Sequence, residues 1–381
     1  MSETKMEHRP ANSDMAVSSE NHSPVKEKKL FPRLTAVICL VALIIWGIYA
    51  ASQLLTLKEG YSWNVRDFYK EKNDTVDVVI IGSSHSYRGF IPMKLWVDLG
   101  YSAYNLSTAN QPYIGSYYLM KEAIATQHPK VIIFEPYSAR RKKKYGAEEP
   151  ASMHRVTDFA LLNLHKISFW WTDLRHDYDL EDSLTYLFPL LSYHGRWNNL
   201  HRNDLYTSVN VTSHKGGIPE VAHAPQKAPA AYKPGAMSEI SSFYLQKMID
   251  LCKDNNVQLI GIPTPIADIR SFGEIEGSIK DAIQMLRDEG MEGVMPEEIL
   301  SETGIDYETD FYNATHINLL GAEKMTDYLE KYLVEHADLT DHRGDPRYAS
   351  WEKAEPVFQE RFKILKEKCL AGIRKDQESE K

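Results

Sequence analysis

The chain has 381 residues, 43% of them hydrophobic and 25% charged, with three cysteines and a formal net charge of −9. Three cysteines exclude a disulfide-scaffold protein, and no Cys-x-x-Cys pair marks a zinc ribbon or a thioredoxin-like site. The acidic balance argues against a general nucleic-acid binder, which carries a basic excess with clustered Lys and Arg, and the length leaves room for about two or three domains.

Residues 1–33 are polar, rich in Ser, Glu, Lys and Asn, and read as a disordered cytoplasmic tail. From Leu34 to Leu57, 24 residues carry no charge, and about 20 apolar residues suffice to cross a bilayer. The segment 34–57 is therefore predicted as one transmembrane helix. Lys26, Lys28, Lys29 and Arg33 precede it, whereas Lys58 and Glu59 cancel after it. The positive-inside rule then keeps the N-terminus in the cytoplasm and puts everything after Glu59 outside. A cleavable signal peptide is the rival reading, because Ala50, Ala51 and Ser52 end the apolar run, but 33 preceding residues are long for a signal n-region. Cys39 lacks the small-residue setting of a lipoprotein cleavage site, and whether Cys252 and Cys369 bridge is open.

After a linker over 58–74, short apolar runs alternate with helical periods. Val76–Ile81, Ser102–Leu106, Val131–Phe134 and Val257–Ile262 are brief and rich in β-branched residues, as buried strands are. Ile279, Ala282, Ile283 and Leu286 form a helical stripe ended by Gly290, and Ala322, Met325, Tyr328, Leu329, Tyr332 and Leu333 form another. Strands alternating with helices imply an α/β fold, a three-layer, doubly wound parallel sheet over 75–337. Residues 137–235 are too long for a simple connection and are predicted as a substrate-shaping insertion or lid. The extension 338–381 carries an amphipathic helix with Trp351, Val357, Phe358, Phe362 and Leu365, expected to pack on the domain.

The first strand runs into Gly82-Ser83-Ser84-His85-Ser86. Ligands bind beyond the carboxyl ends of parallel strands, so Ser84 is the candidate nucleophile, against the bland reading of a hydroxyl capping the next helix. Some 230 residues later, Asp310-Phe311-Tyr312-Asn313-Ala314-Thr315-His316-Ile317-Asn318 supplies His316 with an acid six residues before it and an amide three before it. A loop His with such a partner suits a general base. Arg140, Arg141 and Lys142 to Lys144 form a basic run after the third strand, read as a site for anionic polymer or as a solvated loop. His85 is a candidate substrate contact or a turn hydrogen bond. No His-Glu-x-x-His, phosphate loop or dinucleotide fingerprint occurs, so no metal or cofactor is expected.

With Gly82-Ser83-Ser84 at one end and His316, Asn318 and Gly321 at the other, the chain resembles the SGNH (GDSL-like) hydrolases. It is most similar to their membrane-anchored members related to teichoic-acid D-alanyl transfer and alginate O-acetylation proteins. The resemblance covers residues 76–335, and Tyr193 to Trp197 also looks like a segment of such proteins. It implies a flavodoxin-like fold, Ser84 as nucleophile and His316 as base. It further implies an acyl, or acetyl, group passed to a cell-surface glycan or wall polymer or to water, with a membrane-bound O-acyltransferase as partner. The family's acid position is Asn313 here, and Asp310 is the alternative orienting residue. An oxyanion hole would draw on the Ser84 N–H with Ser107 or Asn110, in place of the family's missing middle motifs. The second hypothesis from the same departures is a non-catalytic glycan-binding or scaffolding partner.

Overall fold

The computed structural model describes residues 30–59, 61–140, 150–175, 179–201, 204, 213–229, 235–267 and 272–379. The chain divides into two compact units, Met1–Ala50 and Ala51–Lys381. Helix α1 (Leu30–Leu55) contains the span Arg33–Leu55, 23 residues with a mean hydropathy of 2.5. At 1.5 Å per residue this is about 35 Å, enough to cross a hydrocarbon core of about 30 Å. The helix stops two residues short of the predicted end. Lys58 Nζ folds back onto the carbonyls of Gln53 (3.0 Å) and Leu54 (3.2 Å), supplying donors that the last turn lacks.

The second unit is α/β. Its parallel sheet has the order β2-β1-β3-β4-β5, from β1 (Val78–Ile81), β2 (Ala103–Asn105), β3 (Val131–Phe134), β4 (Gln258–Gly261) and β5 (Glu292–Gly293). The first four lie within the predicted runs. The fifth is a two-residue Glu-Gly strand with no apolar run to announce it. Helices α2 (Ser84–Gly89) and α3 (Pro92–Leu99) follow β1, and α4 (Tyr113–Gln127) follows β2. Helix α5 (Glu239–Asn255) precedes β4, α6 (Phe272–Asp288) follows it, and α7 (Leu319–His336) and α8 (Ala349–Ser379) close the chain.

Period-two alternation sorts the strand residues into two apolar clusters. Val79, Ile81, Ile132 and Phe134 pack with residues of α4, α5 and α6, such as Leu119, Ile249 and Ile283. Val78, Ile80, Val131 and Ile133 pack with Leu95 of α3 and with Met325 and Leu329 of α7. In α8 the buried side is Trp351, Ala354, Phe358, Cys369 and Ile373, while Val357, expected inside, is 48% exposed because it falls one residue off that stripe. Cys252 and Cys369 are both buried and unbridged.

The described part of the insertion is not a free lid. Phe169 stacks on Tyr118 of α4 at 4.5 Å, and Asp173 accepts hydrogen bonds from Tyr244 (3.0 Å) and Lys247 (2.6 Å) of α5. Its end then runs back past the first βα turn. Asn105 N–H donates to Lys215 O (2.9 Å), Ile218 N–H to Tyr87 O (2.7 Å) and Leu319 N–H to Glu220 O (2.7 Å).

Candidate functional site

The turn after β1 is built around a close approach. A Cβ on Gly82 would lie 2.7 Å from Glu135 Cβ and 2.9 Å from Ser86 Cβ, so only glycine fits beside the end of β3. Ser83 then caps α2 in extended conformation, its Oγ accepting from His85 N–H at 3.4 Å. This places Ser84 in the first turn of α2, half-buried.

The opposite wall is an antiparallel hairpin, β6 (Phe311–Asn313) and β7 (His316–Ile317), where a plain loop was expected. Tyr312 is the extra residue of a bulge, since Phe311 pairs with Ile317 and Asn313 with His316. Asn313 Oδ1 accepts from the backbone N–H of Thr315 (2.9 Å) and of His316 (2.9 Å), which tightens the turn. Asn318 caps α7 with its Oδ1 and donates from Nδ2 to the carbonyls of Thr309 (2.8 Å) and Phe311 (3.3 Å). Gly321 lets α7 approach, because a Cβ there would lie 2.7 Å from Asp310 O.

These two pieces, 232 residues apart in sequence, meet at a hydrogen bond of 2.7 Å between Ser84 Oγ and His316 Nε2. The other ring nitrogen, Nδ1, lies 2.7 Å from Thr315 Oγ1 and 3.2 Å from Asn313 Oδ1. Asn313 Oδ1 is fixed as an oxygen by the two backbone donors it accepts. Thr315 Oγ1 therefore donates to it (3.0 Å) and accepts from Nδ1–H, which leaves Nε2 as the acceptor facing Ser84. Burial, and then the Arg88 guanidinium, push the His316 pKa down to about 4, so the ring is neutral at pH 7.

Asp310 is not part of this chain. It is buried, accepting from Lys324 Nζ (2.6 Å), Asp306 N–H (2.8 Å) and Thr309 Oγ1 (2.9 Å), and supports the hairpin from behind. His85 is not open to substrate either. It is buried between Tyr137 (ring centroids 3.4 Å) and His316 (4.3 Å), and Tyr312 continues the stack at 5.5 Å from His316. Its Nδ1 lies 3.2 Å from Ser83 Oγ, which lies 3.1 Å from Glu135 Oε2. Desolvation lifts Glu135 to about 7 and drives His85 well below the ordinary imidazole value.

Of the two oxyanion candidates, Ser107 is buried, with its hydroxyl on Ser86 Oγ at 2.9 Å, and Asn110 is an exposed turn residue at φ 55°. Arg140 pairs with Glu274 at 3.2 Å, while Arg141 and Lys142 to Lys144 lie outside the described residues. Among the described residues no group of three or more His, Cys, Asp or Glu is arranged to hold a metal.

Arg88, Thr315, Glu135 and Tyr137 were not singled out from sequence as site residues. Arg88 stands four residues after Ser84 on α2, hence on the same helical face. It bonds Tyr61 OH (2.7 Å) and Ile218 O (3.0 Å), pairs with Glu220 (3.1 Å) and lies 5.5 Å from the Tyr312 ring centroid. Beyond it opens a cleft of about 340 Å³ lined by Tyr61, Trp63, His214 and Arg361 among others. Three of these lining residues also carry a nitrogen that is buried from solvent and without a protein partner among the described residues, Trp63 Nε1, His214 Nδ1 and Arg361 Nε.

Comparisons of the chain with protein-family models, with curated proteins and with solved structures find no match.

Proposed function

We propose that this chain is a membrane-anchored, extracytoplasmic acyl transferase or esterase of the SGNH type, with a three-layer, doubly wound domain and a cell-surface glycan or wall polymer as acceptor. The carrying observation is the Ser84–His316 hydrogen bond at the carboxyl end of β1, with Nε2 free of its own proton. Ser84 Oγ attacks the acyl carbonyl while Nε2 takes the hydroxyl proton. The tetrahedral intermediate collapses, the leaving oxygen takes that proton from Nε2, and the acyl group, acetyl in our reading, remains on Ser84. A polymer hydroxyl or water then attacks the ester, again through Nε2. The Ser84 N–H, in the first turn of α2 where N–H groups lack intrahelical partners, is the oxyanion donor.

The cleft beyond Arg88 supports an oxygen-rich acceptor. Its aromatic rings offer apolar faces, and Arg88, Glu220 and Arg361 line it with charged groups that can bond hydroxyl oxygens. The basic residues before α1 support a cytoplasmic N-terminus, and anchoring at the membrane suits partnership with a membrane-bound O-acyltransferase. A serine-directed fluorophosphonate probe tests the reading. Labelling that is lost in Ser84→Ala supports it; a folded chain that stays unlabelled sinks it. One observation favours the second reading, a glycan-binding partner without turnover: Asn313 stands where a carboxylate would balance the imidazolium.

A further inference from the structure

Between Leu161 and Trp197, nine large apolar side chains are exposed, against six over all other described residues outside α1. They are not scattered. Leu164, Ile167 and Trp171 stand at i, i+3 and i+7 of one helical run, with Leu164 81% exposed, while Lys166, Phe169 and Asp173 at the same spacing are buried. One side of the run is thus buried against the domain, and the other is an apolar stripe that no described residue covers.

The same segment is bolted to the end of α1. Arg196 donates to Leu55 O, the last residue of the helix, and holds Asp204 with both carboxylate oxygens at 3.0 and 3.1 Å. Lys58 lies 3.9 Å from Asp204, and Arg155 pairs with Glu59 at 3.3 Å. Trp197, 71% exposed, is the next residue after Arg196. The Arg175 guanidinium lies 3.7 Å from the Trp171 ring centroid, an arrangement suited to a ring in the acyl boundary and a cation among headgroups.

We propose that this face, centred on Leu164, Ile167, Trp171 and Trp197, docks on the outer surface of the bilayer that α1 crosses, so that the domain lies on lipid. The inference rests on the reading of α1 as a membrane span. Lipid is the occupant because covalent continuity brings it to Leu55 in every molecule, and Arg196 carries that continuity to Trp197. The tether makes docking intramolecular, so a modest apolar area suffices.

The test uses the full chain in phosphatidylcholine–phosphatidylglycerol liposomes, with nitroxide labels on single cysteines in a Cys39→Ala background, since Cys252 and Cys369 are buried. Labels at Leu164→Cys, Trp171→Cys and Trp197→Cys are compared with Leu43→Cys in α1 and Asn255→Cys on the exposed end of α5. Docking predicts that oxygen relaxes the first three several-fold more than a water-soluble nickel chelate does, as at Leu43, with the order reversed at Asn255. Water-like labels at 164, 171 and 197 with Leu43 in lipid overturn the docking and leave the anchor standing. A water-like Leu43 overturns the anchor reading itself. Exclusion of both reagents from the three sites indicates contact between copies and also overturns lipid docking.

Discussion

His316 is set up as a neutral base whose far nitrogen meets only uncharged oxygens. Thr315 Oγ1 and Asn313 Oδ1 fix the ring and its tautomer, but neither balances the charge that the ring gains when it takes a proton. In the trypsin-type triad, changing the acid to its amide costs about 10⁴-fold in turnover. Asn313→Asp has the same shape, and its carboxylate keeps both backbone donors. The variant is expected to raise the His316 pKa above its present value of about 4, read by NMR of the imidazole. It is also expected to raise hydrolysis of a small acetyl ester by about tenfold or more. Asp310→Asn should leave the imidazole titration in place, because that carboxylate answers to Lys324 and the Asp306 backbone. An unmoved titration in Asn313→Asp would assign the orienting role to Thr315 alone.

The site is made where two elements close on each other, and their junctions are where sequence patterns carry least. Strands of β-branched residues and helices with regular stripes announce themselves, so four strands and the faces of α6 and α7 follow from spacing. The β6–β7 hairpin does not, because a seven-residue hairpin with a bulge has no alternation to detect. Whether Asn313 or Asp310 meets His316 depends on which oxygen the turn's backbone N–H groups capture, and spacing allows either. Arg88, by contrast, was legible in principle as the residue one helical turn beyond Ser84. The hairpin hangs on Asn318, buried between the cap of α7 and the carbonyls of Thr309 and Phe311. Asn318→Ala removes the cap and takes the donor from the part-buried Thr309 carbonyl, while Phe311 O keeps the Ala224 N–H at 3.0 Å; the combined cost is about 2 kcal/mol. Urea unfolding should show that loss at unchanged slope, and the Ser84–His316 contact should loosen with it. Asn318→Asp, which keeps the cap and loses the donors, should fall between.

At the scale of the whole molecule, the candidate site lies close to the end of α1. Tyr61, which holds Arg88, is only six residues beyond Leu55, at most about 20 Å of extended chain. Long-range closure of this kind buries titratable groups contributed by distant segments. His85 from the first βα turn, His214 from the insertion and His316 from the hairpin are all held below the ordinary imidazole value by desolvation first; His214 and His316 sit at about 4. Their folded pKa values lie below that of an unfolded His, near 6.5, so between about pH 6.5 and 4 the unfolded chain binds more protons. Each therefore makes stability fall as pH falls through that window. Glu135 works the other way. Burial raises it to about 7 against 4.5 unfolded, so from pH 4.5 to 7 the folded chain binds the extra proton, and stability falls as pH rises. Glu135→Gln removes only that opposing contribution. Compared with the parent chain, its unfolding free energy against pH should climb more steeply from pH 4.5 to 7, by up to about 1.4 kcal/mol per pH unit. Denaturant melts across that range measure it. Parallel curves for the two chains would mean that Glu135 is ionised at the end of β3, with Ser83 and the Tyr137 N–H stabilising a buried carboxylate beside the nucleophile turn.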